Sequence, residues 1–422
     1  MKALKKILDL YNHSSLILRI IIGIIVGAGL GFLVPQASWL SMPGALFVGA
    51  LKAIAPVLVA VLVAATLCQR GTKLDKRFGL VIFFYLFSTY LASFAAVVAS
   101  FTFPQTITLS GEYAGTAVAP PEDFHDIVMT LLSSVIANPI EAIATGNYLG
   151  VLFWAVIIGL ALKRFAGDNT REMMLNFSDA ITQVVRWIIN FAPFGILSLV
   201  FSSVSESGMD IFVTYGKLML LLVCTMLAVA LILNPMIVAV ALRRNPYPLV
   251  FRCLRESGLT AFFTRSSAAN IPVNLSLCEK LGLDRDRYSV SIPLGATVNM
   301  DGAAVTITIM SLATAHTFGV EVSFPAAMLL SFLSALAACG SSGVAGGSLL
   351  LIPMACSLFG IPDDISMQVV GVGFIIGVIQ DSMETAINSS GDVLFTATAE
   401  YVHWKKQGRP LPDFMEKCRE KA

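Results

Sequence analysis

Charged residues are scarce in this sequence. Only 13% of its 422 residues are Asp, Glu, Lys or Arg, whereas 56% are hydrophobic. Soluble domains carry roughly 25% charged residues, so the composition excludes an ordinary soluble domain. The net charge of +1 provides no strongly basic surface, and we therefore expect no nucleic-acid partner.

Paired cysteines and alternating apolar patterns are also missing. The seven cysteines contain no Cys-x-x-Cys pair, so we interpret them as packing residues or free thiols and not as a disulfide framework. The apolar runs are continuous, which favours membrane-spanning helices over barrel strands. Six such runs occupy residues 16–34, 44–67, 78–103, 147–165, 182–204 and 215–242. The stretch 127–146, broken by Asn138-Pro139, is either a partial span or an interfacial helix.

Lys and Arg are absent from alternate loops. The segments 36–42, 104–126, 205–214 and 316–326 contain neither residue type. Basic residues instead precede the first run and follow the second, fourth and sixth runs. By the positive-inside rule, both termini are predicted to be cytoplasmic and the basic-free loops external.

The second half of the chain is too polar to cross lipid as simple helices. Residues 250–280 contain the polar tip TRSSAANIP and are flanked by charges, which predicts a hairpin that enters from the cytoplasm and turns back. Residues 327–359 repeat this pattern from the external side around CGSSGVAGGS. Irregular backbone at membrane depth is tolerated only against protein or a cavity, and two opposed hairpins indicate an inverted repeat.

Two further segments between and after the hairpins carry buried charge. The span 288–314 is interrupted by Asn299-Met300-Asp301-Gly302, and unwound backbone there offers carbonyl oxygens to a cation. In the span 367–400, Asp381, Thr385, Asn388 and Asp392 lie on one helical face. Ionisable groups at membrane depth are costly, so this stripe is interpreted as the lining of a functional cavity.

These groups are of two kinds, some suited to bind a substrate and others suited to bind cations. The serine-rich first tip offers donors to a carboxylate, and Asp381 can hold an ammonium group. Oxygens of Gly295, Asn299, Asn388 and Asp392 suit Na⁺. Asp301 could serve a second cation with Tyr85, Ser88 and Thr89, although the two hydroxyls could equally bond to their own helix. Arg265 either pairs with Glu384 or, with it, faces water at the mouth of the cavity.

Four segments resemble the signature motifs of a known family. TRSSAANIPVN, SIPLGATVNMDGAA, GSSGVAGGS and DSMETAINSSGDV are similar, in this order, to segments of the dicarboxylate/amino acid:cation symporters, which have the glutamate-transporter fold. The resemblance implies an all-α polytopic membrane protein with eight transmembrane helices, two opposed re-entrant helical hairpins and elevator-like movement. It also implies a homotrimer, surrounded by lipid, in the bacterial cytoplasmic (inner) membrane.

The resemblance further implies a division into domains. Residues 1–245 would be mainly scaffold and trimerisation helices, except for span 78–103, which belongs to the transport domain. Residues 246–405 would form the transport core, and residues 406–422 a cytoplasmic tail.

Site residues follow from the same resemblance. One Na⁺ would bind Gly295, Asn299, Asn388 and Asp392, a second would bind between Thr297 and the backbone of the second hairpin tip, and a third would use Asp301 with Tyr85, Ser88 and Thr89. The candidate substrate-binding residues are Arg265, Ser266, Ser267, Val344, Ser348, Asp381, Glu384, Thr385 and Asn388.

Glu384 departs from the family pattern and predicts the substrate. Members that carry acidic substrates have an arginine at this position, and a carboxylate here would repel a second acidic group in a desolvated pocket. We therefore expect a small neutral amino acid, and the chain looks most like the bacterial family members that import serine and threonine with sodium.

Several alternatives remain open from the sequence. A dicarboxylate or alanine could be the substrate, and H⁺ could replace Na⁺. An intramembrane aspartyl protease using Asp301 and Asp392, or a channel, would be a different class of protein. We expect a transporter and not an enzyme.

Overall fold

The computed structural model of the protein describes residues 15–68, 76–109, 135–339, 341 and 346–416. Within these ranges the chain is built of helices and their connections, with no strand. Seven helical stretches there are long and apolar enough to cross a membrane, and a bent pair of helices supplies an eighth if it is counted as one span. The predicted number of eight therefore depends on that bent pair.

The first three long helices are α1 (Leu16–Leu33), α2 (Met42–Leu67) and α3 (Lys76–Thr102), with a short 3₁₀ turn, Ser38–Ser41, before α2. Glycines at every fourth position of α1 allow another helix to approach closely. A Cβ added to Gly23, Gly27 or Gly31 would lie 2.6, 2.3 or 2.8 Å from a backbone oxygen of the segment 193–201. Small residues at this spacing are a common device for packing helices in membranes.

The segment after α3 contains two helices, α4 (Pro139–Thr145) and α5 (Tyr148–Phe165). The prediction for 127–146 is tested only from residue 135 onward. There the structure has the seven-residue α4, whose first turn is capped by the side chain of Asn138. Residues 127–134 lie outside the described part of the chain.

The predicted span 182–204 is divided between two helices that meet at a bend. The structure has α6 (Asp168–Asn190) and α7 (Ala192–Ser207), which meet at an angle of 51°. Pro193 lies in the first turn of α7. Proline lacks the amide hydrogen and clashes with the preceding turn, so a helix cannot continue through it without bending.

The sixth span runs from Ile211 to Leu242 with a local change of winding. It consists of α8 (Ile211–Ala228), a π-helical turn (Val229–Leu233) and α9 (Asn234–Leu242). Pro235 lies two residues after the end of this turn, and its missing N–H agrees with the change of hydrogen-bond pattern. The span packs against α3, the second half of the broken helix and the long polar helix described below.

The first hairpin is formed by two antiparallel arms. Its first arm contains α10 (Tyr247–Cys253), a π-helical turn (Leu254–Gly258) and α11 (Leu259–Thr264), and its second arm is α12 (Ser267–Lys280). Arg265 ends the first arm with φ 52°, and Ser266 caps α12 by accepting a hydrogen bond from the amide of Ala269. The turn therefore lies at the residues where the sequence predicts the tip.

The broken helix consists of α13 (Arg285–Val298) and α14 (Asp301–Thr317). The predicted interruption is confirmed but is shorter than expected, because only Asn299 and Met300 are non-helical. Asp301 and Gly302 already belong to α14, and every residue from Asp301 to Ala315 is buried.

The second hairpin descends as α15 (Phe324–Ala338) and returns as a 3₁₀ turn (Gly347–Leu351) and α16 (Ile352–Ser357). Most of its tip, residues 340 and 342–345, lies outside the described residues. The polar helix α17 then runs without a break from Asp363 to Lys406.

The described part of the segment after α17 folds back onto the first hairpin. It contains the short helix α18 (Asp413–Glu416). Leu411 and Met415 are buried in a cluster with residues of both hairpin arms, and the guanidinium of Arg252 lies 5.1 Å from the ring centre of Phe414.

Candidate functional site

The predicted polar stripe lies on one continuous helix. Asp381, Thr385, Asn388 and Asp392 all belong to α17, and each is at most 6% exposed. The hydroxyl of Thr385 donates to the carbonyl of Asp381, 2.8 Å away. The stripe faces the break in the broken helix and the two hairpins.

The break in the helix meets this stripe at Asn388 and Asp392. The side-chain nitrogen of Asn299 donates to the carbonyl of Asn388 (2.9 Å) and to Oδ1 of Asp392 (3.2 Å). The amide of Gly302 donates to Oδ1 of Asn388, 2.7 Å away. Three of the four residues predicted to hold the first cation are thus directly connected.

Gly295 completes this group because its backbone passes close to Asp392. A Cβ at this position would lie 2.7 Å from Oδ1 of Asp392 and 2.8 Å from the hydroxyl oxygen of Tyr85. The second carboxylate oxygen of Asp392, Oδ2, is buried and has no hydrogen-bond partner among the described residues. An unpartnered anionic oxygen beside amide oxygens is a donor set that fits a small hard cation.

A second cluster of oxygens surrounds Asp301. Oδ1 of Asp301 lies 2.9 Å from the hydroxyl of Ser88 and 3.1 Å from that of Thr89. Both hydroxyls also lie within hydrogen-bonding distance of the carbonyl of Tyr85, and Ser88 reaches Oδ1 of Asn299. The two readings of these hydroxyls are therefore compatible, since each contacts both its own helix and Asp301.

Tyr85 contributes to the two clusters with different atoms. Its carbonyl faces Ser88 and Thr89, whereas its hydroxyl lies 2.8 Å from Oγ1 of Thr396 and 3.1 Å from the carbonyl of Asp392. This places one residue of α3 between the two candidate cation clusters.

The expected site at Thr297 is only partly described. Its hydroxyl donates to the carbonyl of Leu294, and Sγ of Cys339 on the second hairpin lies 3.5 Å from the carbonyl of Val298. Most of the hairpin tip whose backbone would complete this site lies outside the described residues, and so does Val344, a candidate substrate-binding residue.

Asp381 is held by both hairpins. Its Oδ2 accepts a hydrogen bond from Nε of Arg265 at 2.7 Å, and its Oδ1 accepts one from the amide of Gly346 at 3.1 Å. Arg265 and Asp381 form an ion pair with side chains 12% and 5% exposed. The sequence left two alternatives for Arg265 and Glu384, an ion pair or two groups facing water. The structure has neither, because Arg265 pairs with Asp381, and Glu384 is 6% exposed and points towards the broken helix.

Glu384 is enclosed by three neutral donors. Its Oε2 accepts from the hydroxyls of Thr306 and Ser348, both at 2.8 Å, and from the side-chain amide of Gln380. The broken helix approaches α17 most closely at Gly302, where a Cβ would lie 2.7 Å from Cα of Glu384. The carboxylate therefore connects the polar helix with the broken helix and the second hairpin.

Ser266 and Ser267 occupy the start of α12 next to Arg265. Ser267 is 8% exposed, and the Ser266 hydroxyl already caps the helix. The N-terminus of α12 and the amide of Gly346 thus bring backbone donors from opposite hairpins to the side of α17 that carries Asp381.

Three site residues were missed by the sequence analysis: Asn234, Thr306 and Gln380. Asn234 donates from Nδ2 to Oδ2 of Asp301 at 2.9 Å, and Gln380 donates to Thr306 as well as to Glu384. Each is a buried polar residue within an apolar helix, which is the signal that could have identified them.

The structure combines opposed hairpins, a broken helix and two buried oxygen clusters. This combination is typical of a membrane transporter with a central solute site. The family model described as the sodium:dicarboxylate symporter family matches residues 16–401 of the chain. The protein therefore belongs to this family, which confirms the family resemblance, and it is a transporter and not an enzyme. The alternatives of an intramembrane protease and of a channel are thereby wrong.

Two relatives match nearly the full chain. A protein of Bifidobacterium adolescentis named serine/threonine transporter SstT is 59% identical over 421 residues, covering 100% of this chain and 97% of the relative. A protein of the same name from Streptococcus agalactiae is 56% identical over 397 residues, covering 94% and 98%.

Proposed function

We propose that this protein imports serine and threonine together with Na⁺. The observation that carries the proposal is the position of Asn388. Its carbonyl and amide oxygens bind Asn299 and Gly302 at the helix break, while Asp381 and Thr385 lie on the same face of α17. One residue thus contacts the candidate cation cluster and borders the candidate substrate pocket. The relatives named serine/threonine transporters support this choice of substrate.

Because Asn388 is shared by the two sites, binding of Na⁺ and binding of the substrate are coupled. A Na⁺ bound by Asp392, Asn299 and the carbonyl of Gly295 would fix the orientation of Asn388 and of the unwound backbone. The substrate would then bind a preorganised pocket with less loss of conformational entropy. Because binding linkage is reciprocal, bound serine must raise the affinity for Na⁺ by the same factor.

Asp381 is the proposed ligand for the α-ammonium group of the substrate. In this structure the guanidinium of Arg265 already pairs with it, so an incoming ammonium group has to share or replace this contact. The backbone donors of the hairpin tips, near Ser267 and Val344, are the proposed partners of the α-carboxylate. The hydroxyl of Thr385 and the small residues around it suit a short neutral side chain.

The larger organisation is proposed from the family. The transport core would comprise both hairpins, the broken helix, α3 and α17, moving like an elevator against the remaining helices of a homotrimer in the bacterial inner membrane, with both termini in the cytoplasm. We group the sixth span with the core as well, because it packs on core helices and contacts Asp301 through Asn234.

Ligand-dependent thermal stability of the purified protein tests this assignment. A ligand that binds only the folded state raises the unfolding midpoint by mass action. We expect serine and threonine to raise it in NaCl but not in KCl, and aspartate to have no effect in either salt. Stabilisation by aspartate, or by serine equally in both salts, would contradict the proposal.

A further inference from the structure

Asn234 lies where the sixth span changes its winding. It follows the π-helical turn Val229–Leu233 and precedes Pro235. Proline has no amide hydrogen for the carbonyl four residues earlier, that of Leu231. The hydroxyl of Tyr247 lies 3.2 Å from that carbonyl and supplies a donor. The irregular turn is therefore stabilised from outside, and π-turns within helices occur frequently at functional sites.

The side chain of Asn234 reaches the second oxygen cluster. Its Nδ2 donates to Oδ2 of Asp301 at 2.9 Å, on the carboxylate oxygen opposite to the one that Ser88 and Thr89 contact. Asn234 is 3% exposed, and its own Oδ1 is buried without a hydrogen-bond partner among the described residues. A buried acceptor left unpaired is costly, which indicates that this side chain is held for a reason other than packing.

The donors around Asp301 differ in what they can do when a cation arrives. A hydroxyl such as that of Ser88 or Thr89 can rotate, so that its oxygen turns from donating to the carboxylate to coordinating an ion. An amide nitrogen can only donate. Asn234 can therefore donate to Oδ2 of Asp301 both with and without a bound cation. When the cation binds, Oδ1 of Asp301 and the two hydroxyls exchange their hydrogen bonds for contacts with the ion.

We propose that Asn234 is a positioning residue of the cation site at Asp301. It fixes the carboxylate of Asp301 so that Oδ1 faces Ser88 and Thr89. Cation binding at this site then depends on the position of the sixth span, which carries Asn234. The inference rests on the proposed function, because it takes the oxygen cluster at Asp301 to be a Na⁺ site.

The test is Na⁺ affinity without any amino acid present. The Na⁺ concentration that gives half of the maximal thermal stabilisation is measured for the wild type, Asn234→Leu, Asn234→Gln and Asp301→Asn. Choline chloride keeps the ionic strength constant. Asn234→Leu should raise this concentration at least tenfold, Asp301→Asn should do the same, and Asn234→Gln, which keeps an amide donor, should recover part of the loss.

Ser93→Ala is the matched control. Ser93 is fully buried on α3 and bonds to Thr308 of α14 at 2.7 Å, so the variant removes another buried polar contact to α14 without touching Asp301. It should leave Na⁺ affinity unchanged, and its midpoint in choline chloride shows what loss of such a contact costs in stability alone.

The results separate this inference from the proposed function. If the wild type responds to Na⁺ and Asn234→Leu responds with equal or higher affinity, the positioning role is wrong and the proposed function stands. An equal loss of affinity in Ser93→Ala would also overturn it, because the effect would then be general. A wild type that does not distinguish Na⁺ from choline overturns both.

Discussion

Glu384 lies one helical turn from Asp381, and both carboxyl groups are buried. Its three donors, Thr306, Ser348 and Gln380, are neutral, so its charge is solvated by hydrogen bonds but not cancelled by a cationic side chain among them. A substrate with a second carboxylate would bring another negative charge into this low-dielectric region, which is strongly unfavourable.

Replacing Glu384 should therefore weaken the exclusion of acidic substrates. We expect Glu384→Gln to increase aspartate affinity by about tenfold or more, since removal of one like charge is worth at least about 1.4 kcal/mol at this depth. Competition of aspartate against labelled serine in NaCl measures this. Thr306→Val removes one donor without changing charge, and it should not admit aspartate. An equally strict exclusion by Glu384→Gln would show that another feature selects the substrate.

Asp392 provides the charge of the first proposed cation site. We expect Asp392→Asn to reduce the apparent Na⁺ affinity for serine binding by more than about tenfold, since the only anionic oxygens of that cluster are lost. The readout is serine-induced stabilisation as a function of Na⁺ concentration. Thr398→Ala, six residues further along the same helix, removes a buried hydroxyl that donates to the carbonyl of Leu394 in its own helix. That control should bind Na⁺ normally, and normal Na⁺ dependence in Asp392→Asn would refute the site.

The sequence predicted the chemistry of single residues better than their partners. Asp381, Asn388, Asp392 and Asn299 could be identified because polar groups in apolar helices are costly. The partner of Arg265 could not be identified. Asp381 and Glu384 are only three residues apart, and tertiary packing decides which of the two faces Arg265. Asn234 stands out in the sequence only as a polar residue within an apolar run, and its position beside Asp301 could be known only from the structure.

The arms of the first hairpin are joined to the polar helix by a buried cluster of side chains. Nδ2 of Asn270 donates to Oγ of Ser389 (2.8 Å) and to the carbonyl of Ser257 (3.2 Å), and Nδ2 of Asn274 donates to the carbonyl of Ser389 (3.1 Å). These bonds connect both arms of the hairpin with α17, while Oδ1 of Asn270 is buried without a hydrogen-bond partner among the described residues.

This cluster should contribute strongly to stability. We expect Asn270→Ala to cost roughly 1–3 kcal/mol, because buried partners lose their hydrogen bonds, and to lower the thermal midpoint in the absence of ligands. Ser289→Ala, at an exposed position, is the control and should have little effect. A midpoint for Asn270→Ala equal to that of the control would mean that the cluster does not stabilise the hairpin.

Helix boundaries show the limits of reading elements from hydropathy. The break at Asn299-Met300 and the turn at Arg265 were predictable because polar residues and glycine interrupt apolar runs there. The bend between Asn190 and Ala192 was not predicted, since hydropathy continues across it and only Pro193 marks the change. The folding of Leu411 and Met415 onto the first hairpin could not be foreseen, because their apolar partners are distant in the sequence.

An ion pair joins the second span, α2, to the start of the polar helix α17. Nζ of Lys52 lies 3.1 Å from Oδ2 of Asp363, with side chains 43% and 26% exposed. If α17 moves with the transport core while α2 stays with the scaffold, this contact has to break in each transport cycle.

Cross-linking at this pair tests the relative movement. In a background without the native cysteines, Lys52→Cys combined with Asp363→Cys and a bifunctional thiol reagent should stop serine uptake, and a cleavable reagent should make the block reversible on reduction. Each single-cysteine variant treated in the same way should keep its uptake. Undiminished uptake in fully cross-linked protein would contradict movement of α17 against α2.

We propose that a Na⁺ gradient drives serine across the membrane through this protein. The most direct measurement is uptake of labelled serine into proteoliposomes that contain the purified protein, with an imposed inward Na⁺ gradient or, separately, an inward H⁺ gradient. We expect serine to accumulate above its external concentration with the Na⁺ gradient only, and this accumulation to be reduced by excess threonine and not by aspartate. Accumulation driven by H⁺ alone, or accumulation of aspartate instead of serine, would contradict it.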